Sequence, residues 1–222
     1  MGQIATNLER IYGELPEGVG LVAVSKFHPM EKLREAYAAG QRRFGESRVQ
    51  ELLAKEPEMP ADVEWHFIGH LQTNKVRHLI GKASLIESVD SERLLDMIDS
   101  ESHRAGVVTR VLMQVHVAQE ETKFGFLPQE LLDYFKGRKF ERLTSTHICG
   151  VMGMASNTDD NERVRADFAA IAQVFRQISE IAPDLRGFDT LSMGMSGDWP
   201  LAVSEGSNLV RIGTAIFGNR EY

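Results

Sequence analysis

Residues 18–29 read GVGLVAVSKFHP, and the fold is decided at this stretch. Residues 18–26 are the apolar, valine-rich run of a strand that Lys26 closes. Pro29 then sits where it opens a helix over 30–39, which Gly40 ends. An open nucleotide-binding sheet would show G-x-G-x-x-G after its first strand. Ser25-Lys26-Phe27 stands there instead. Working outward, residues 3–15 carry Ile4, Leu8, Ile11, Tyr12 and Leu15 at helical spacing. Downstream, strands are predicted at 42–45, 64–68, 84–89, 108–117, 143–149, 188–192 and 208–212. Helices fall between them at 46–55, 72–80, 91–105, 128–136, 160–181 and 197–204. GVMGMAS (150–156) reads as a turn, and RIGTAIFG (211–218) comes after the last strand.

Such alternation, with no long linker or composition break, predicts an α/β fold with a parallel sheet covered by helices. About eight strand–helix units favour a closed (β/α)8 TIM-type barrel over an open sheet. The expectation is a single domain over residues 1–222, with an extra N-terminal helix. The typical barrel runs to about 250 residues, so its loops should be short.

Composition narrows the function. The 222 residues carry a net charge of −7, which argues against bulk attraction to nucleic acid or an anionic membrane. Cys149 is the sole cysteine, so no intramolecular disulfide forms, in keeping with a cytoplasmic location. The opening MGQIATNLERIYGEL carries charge where a signal peptide needs an apolar run, and MGQIAT only loosely matches a myristoylation pattern. No apolar stretch approaches the length of a membrane span.

A barrel places its active site at the carboxyl ends of its strands. The groups there are Lys26, Ser47, His66 with Ile68, Glu87, His116, Met152 to Met154, Ser192 to Ser196, and Arg211 to Thr214. Alternation puts Val22, Val24 and Lys26 on one face, so Lys26 points into the mouth if the valines fill the interior. From the strand alone, a solvent-facing lysine is the plainer reading. The last two strands alter the balance. SMGMSGDW (192–199) and RIGTAIFG come after strands seven and eight, where this fold often binds phosphate. Ser192, Ser196, Gly213 and Thr214 offer hydroxyls and closely approachable backbone N–H groups. Arg211 offers a planar, permanently charged fork for phosphate, carboxylate or a ring nitrogen, or else a structural ion pair with Asp189 or Glu205. A lysine, an anion site and an arginine suit a phosphorylated aldehyde. Pyridoxal 5'-phosphate (PLP) and the sugar-phosphate substrate of a Schiff-base aldolase both satisfy that description. The spacing of His28, His66, His70 and His78 is not a metal motif.

AVSKFHP, FGESRVQE, WHFIGHLQTNK, QVHVAQEETKFGF, GVMGMAS, LSMGMSGDW and VRIGTAIFG occur in that order. Together they resemble the pyridoxal-phosphate homeostasis proteins, also called the proline-synthetase co-transcribed family, which are similar to the barrel domain of alanine racemase. The resemblance implies a PLP-binding barrel with Lys26 carrying the cofactor as an internal aldimine. It implies Arg211 facing the pyridine nitrogen, and Ser192, Gly213 and Thr214 with nearby backbone, Met193 included, holding the phosphate. Ser47 is placed to donate a hydrogen bond near the ring; His66 shares a strand face with Ile68 and either lines the pocket or is a hydrogen-bonded core histidine. It also implies a protein that buffers or delivers PLP without appreciable catalysis, with apo PLP-dependent enzymes as transient partners; no interface motif is readable, and a monomer is expected.

Two departures fall at strand ends. Ser47-Arg48 replaces the family's usual Asn-Tyr, and His116 stands where the family tends to have Asn. A PLP-dependent amino-acid racemase or lyase is the alternative function. Against it, Arg211 would leave the ring nitrogen unprotonated and the electron sink weak. The chain is also expected to lack a second domain that would supply an opposing base.

Overall fold

The computed structural model describes residues 2–117 and 124–219. The polar segment 118–123 lies outside the described residues. The chain opens with α1 (Gln3–Glu14), whose Ile4, Leu8 and Ile11 are buried on one face. Then come β1 (Gly20–Val24), α2 (Met30–Ala38), β2 (Arg43–Glu46), α3 (Val49–Lys55), β3 (Glu64–Phe67), α4 (Val76–Leu79), β4 (Leu85–Val89) and α5 (Glu92–Ala105). The second half comprises β5 (Thr109–Val115), α6 (Pro128–Lys136), β6 (Thr146–Gly153), α7 (Asn161–Ile181), β7 (Thr190–Ser192), α8 (Trp199–Ser204), β8 (Leu209–Ile212) and α9 (Thr214–Phe217).

The strands form a closed parallel barrel in chain order. Closure is made by β1 against β8, with Gly20 opposite Leu209 and Val22 opposite Arg211. Strand alternation divides the apolar residues into two cores. Val22, Leu85, Leu112, Cys149, Met152 and Leu209 cluster inside the barrel. Leu21, Ala23, Phe44, Phe67, Ile86, Val111, Val151, Leu191 and Val210 join the larger core that the helices cover. The larger core contains the bulkiest buried rings, including Phe44, Phe67, Phe135 and Phe168.

Local signals fix several helix ends. Ser91 Oγ accepts from the Leu94 N–H to start α5, and Gly106, at φ +68°, ends it. The Asp160 carboxylate accepts from the N–H groups of Glu162 and Arg163 to start α7.

The barrel and its N-terminal helix match the pattern expected from the sequence; several boundaries do not. GVMGMAS does not begin a turn, because β6 runs on through Gly153. Gly150 marks a register shift against β5. Its φ is +155°, and a Cβ there would lie 1.8 Å from the Thr190 carbonyl oxygen. This is a glycine inside a strand marking a bulge and a close backbone approach. The helix expected over 72–80 is a 3₁₀ turn at Thr73–Lys75 and then the single turn of α4. Threonine and asparagine favour such local turns over helix interiors. Residues 47 and 48 precede α3, with Arg48 extended. The stretch after β8 contains α9, whose Ile216 and Phe217 are buried. The Asn7 side chain ties α9 to α1 by donating to the Ile216 carbonyl at 2.9 Å.

Candidate functional site

β1 ends at Val24, and Lys26 comes two residues later, with Val24 and Lys26 lining the same cavity. The cavity has a volume of about 260 Å³ at the carboxyl ends of the strands. Lys26, His28, Ser196, Arg211, Gly213 and Thr214 supply its polar groups. Ile68, Met152, Met154 and Met195 supply an apolar wall. A concave, largely apolar space with a few convergent polar groups is the usual form of a small-cofactor site.

Arg211 forms the base. It projects inward from β8 and is buried. Its Nη1 donates to Ser192 Oγ at 2.5 Å and its Nη2 to the Gly153 carbonyl at 3.0 Å. Ser192 Oγ donates to Glu87 Oε2 at 2.6 Å, and His66 Nδ1 lies 2.6 Å from Glu87 Oε1. Glu87 is fully buried on β4. Burial pushes its carboxyl up, but the hydrogen bond and charge of His66, with Arg211 and Ser192, outweigh that and hold it below the usual carboxylate range. Burial pulls the Arg211 guanidinium down, and Glu87 and Asp198 oppose that pull. The barrel interior therefore holds a charged group at the cavity base, compensated from beneath.

The turns after β7 and β8 meet at the other end of the cavity. Ser196 Oγ accepts from the N–H groups of Gly213 at 3.2 Å and Ala215 at 3.4 Å. The β7 turn depends on Gly194, at φ +93°, where a Cβ would lie 2.7 Å from Ala202 Cβ and 2.8 Å from Trp199 Cα. The two turns thus present a hydroxyl and a group of N–H donors to the cavity, a set suited to phosphate oxygens.

Of the eight residues assigned to the site from sequence, Lys26, Arg211, Gly213 and Thr214 line the cavity. Ser192 lies one layer below and contacts it through Arg211. His66 lies deeper, on a separate cavity of about 340 Å³ at the amino-terminal ends of the strands. Its effect on the mouth passes through Glu87. Met193 alternates away from Ser192, and its side chain belongs to the outer core. Ser47 lines a shallow surface depression with Arg48 and His70. The lining residues absent from that assignment are Val24, His28, Ile68, Met152, Met154, Met195, Ser196 and Gly197. Position at strand ends singles out Ile68, the methionines and Ser196; only His28 carries no signal beyond a loose histidine cluster. Among the described residues, no group of three or more His, Cys, Asp or Glu side chains is placed to hold a metal.

The molecule is thus a closed parallel (β/α)8 barrel with a lysine, an arginine and a glycine turn gathered at its mouth. The family described as alanine racemase, N-terminal domain, matches residues 1–221. The pyridoxal phosphate homeostasis protein of Aquifex aeolicus is 40% identical over 91% of this chain and 87% of its own. That of Pasteurella multocida is 36% identical over 100% of this chain and 97% of its own. PipY of Synechococcus elongatus PCC7942, solved without PLP, is 39% identical, with TM-score 0.92 over 97% of this chain and 100% of that one. The same protein with PLP bound superposes with TM-score 0.90. The alanine racemase of E. faecalis shares the fold at 18% identity, with TM-score 0.75. The chain belongs to the pyridoxal phosphate homeostasis protein family.

Proposed function

We propose that this protein binds PLP in the mouth cavity, tethers it through Lys26 as a Schiff base, and serves to hold and release it. The observation that carries the reading is the convergence of Lys26, Arg211 and the Gly213–Thr214 turn on one cavity. The fit is chemical. The Ser196 hydroxyl and the Gly213–Thr214 turn suit the phosphate, the methionine and isoleucine wall suits the ring face, and Arg211 suits the ring nitrogen. The PLP-bound state of PipY supports the same ligand. In tethering, Lys26 Nζ adds to the aldehyde carbon, a C=N bond forms and the carbonyl oxygen leaves as water. Water reverses the step and frees the cofactor.

The proposal includes the absence of appreciable turnover. PLP supplies an electron sink when bound, and a protonated ring nitrogen strengthens that sink. Arg211 cannot provide that proton, because a guanidinium keeps its own. Lys26 and His28, the other titratable groups among the described lining residues, both come from the end of β1. Proton transfer on two faces of a substrate needs groups on two sides. The names of the relatives, which are homeostasis proteins, agree with this reading.

The test is the absorption spectrum. Purified wild-type protein with PLP should show a visible imine band that Lys26→Ala lacks. A band of equal strength in Lys26→Ala overturns the tether. Amino-acid α-proton exchange in deuterated water would instead favour a racemase or lyase. The delivery form of the proposal has apo PLP-dependent enzymes as transient partners of a monomer. Transfer to an apo-enzyme no faster than release into solution overturns that form.

A further inference from the structure

We propose that Glu46, Glu51 and Lys55 are positioning residues that fix the backbone on both sides of Lys26 and so set the direction in which its amine enters the cavity. The proposal rests on the reading of Lys26 as the tether. None of the three lines the cavity. They act from behind it, where β2 and α3 pack against the end of β1.

The contacts flank Lys26 in sequence. Ser25 Oγ donates to Glu46 Oε1 at 2.6 Å. The Phe27 N–H donates to Glu51 Oε1 at 2.6 Å. Lys55 Nζ joins the two sides, donating to the Ser25 carbonyl at 2.9 Å, to Glu46 Oε1 at 2.8 Å and to Glu51 Oε1 at 2.7 Å. Ser25 and Glu46 are fully buried, and Lys55 is 7% exposed. On the outer side, the Arg48 guanidinium lies 4.6 Å from the centroid of the Phe27 ring.

Two features argue that this group does more than fill space. First, buried charges are expensive to assemble, and apolar side chains of similar size would close the same gap with less penalty. Apolar side chains could not accept from the Phe27 N–H, nor take the second lone pair of the Ser25 carbonyl, which also accepts from the His28 N–H at 3.1 Å. Second, Phe27 has φ +67°, a left-handed conformation that is strained for a non-glycine residue and persists only where its surroundings over-determine it. Glu51 grips the N–H of that residue. The turn that aims Lys26 is therefore strained, and a carboxylate holds it.

The experiment separates aiming from pocket integrity by using two ligands. PLP reports imine formation through the growth of its visible band in stopped flow. Pyridoxamine 5'-phosphate has no aldehyde and reports the pocket alone, by equilibrium binding. Glu51→Ala should slow the band by about tenfold or more, the scale of a misaimed reacting group. Its affinity for pyridoxamine 5'-phosphate should stay within about twofold of wild type. Glu51→Gln keeps an acceptor for the Phe27 N–H and should recover most of the rate. Ser25→Ala removes the hydroxyl's bonds to Glu46 and, more weakly, to the Gly45 carbonyl, and should slow the band without touching pyridoxamine 5'-phosphate binding, which tests the clamp if Glu51→Ala fails to fold. Unchanged rates in these variants, or parallel losses for both ligands, overturn the proposal. A wild-type protein that gives no band overturns the tether reading itself, and the aiming role with it.

Discussion

Arg211 Nη1 and Glu87 Oε2 lie 3.7 Å apart inside the barrel, with Ser192 Oγ bonded to both. The pair spans from β8 to β4, and neither side chain reaches bulk solvent. Glu87 has no exposed surface, so water cannot take its place against Arg211 from beneath. A buried pair of this kind is modest in net stabilisation, but removing one member leaves an uncompensated charge.

Glu87→Ala should therefore destabilise the fold by about 3–5 kcal/mol, the usual cost of stranding one member of a buried ion pair. Denaturant unfolding measures it. If the stranded guanidinium is the cause, adding Arg211→Met to Glu87→Ala should restore part of the loss. A double variant as unstable as the sum of the two single variants would contradict that cause.

Ser196 predicts a selective effect on ligand recognition. Its hydroxyl oxygen accepts from the N–H groups of Gly213 and Ala215, so its own proton can donate to a phosphate oxygen held beside that turn. Ser196→Ala should weaken PLP binding by about tenfold, the scale of a hydrogen bond to a charged group. Binding of pyridoxal, which has no phosphate, should be nearly unchanged. Titration of the variant with both compounds distinguishes a phosphate contact from a general loss of the pocket.

The Glu46 carboxyl predicts a pH dependence. Burial pushes it up to about 7, against opposing pulls from Lys55 and Ser25 and a smaller push from Glu51. Its folded value lies above its unfolded one, so the native state holds the proton more tightly between them. That contribution is fully present below pH 4.5, the ordinary glutamate value, and is lost as pH rises through about 7. It spans about 3 kcal/mol. Glu46→Gln should flatten this part of the stability profile. A wild-type profile that rises between pH 5 and pH 8 and keeps its slope in Glu46→Gln would contradict the assignment.

Gly194 links the site to the fold. Its φ of +93° and the 2.7 Å approach to Ala202 leave no place for a Cβ. Gly194→Ala should cost about 1–3 kcal/mol through backbone strain and overpacking. Because the β7 turn carries Ser196, PLP affinity should fall as well. A thermal melt and a PLP titration of one preparation check both effects.

Much of the architecture was legible in the order of residues, because strand period and helix period are local properties. Gly150 shows the limit. A glycine after an apolar run reads as a turn, and only its approach to Thr190 shows a bulge that β6 continues through. The site was legible to a similar degree. Lys26, Arg211, Gly213 and Thr214 stand at strand ends, and strand order brings strand ends together. Ser47, His66 and Met193 also stand at strand ends, but which way a side chain faces depends on register and on one-residue shifts.

By itself, the sequence determined the (β/α)8 barrel, the lysine at the end of β1, the arginine on β8 and the glycine turns beside it. Hydrophobic alternation and turn chemistry act over a few residues, so these features can be read along the chain. Tertiary structure alone decided what supports them. Glu87 reaches Ser192, the partner of Arg211, across 105 positions, and Glu46, Glu51 and Lys55 reach Ser25 and Phe27, on either side of Lys26, across 21 to 30. Those partners meet because the barrel closes, and closure rests on burial summed over the whole molecule.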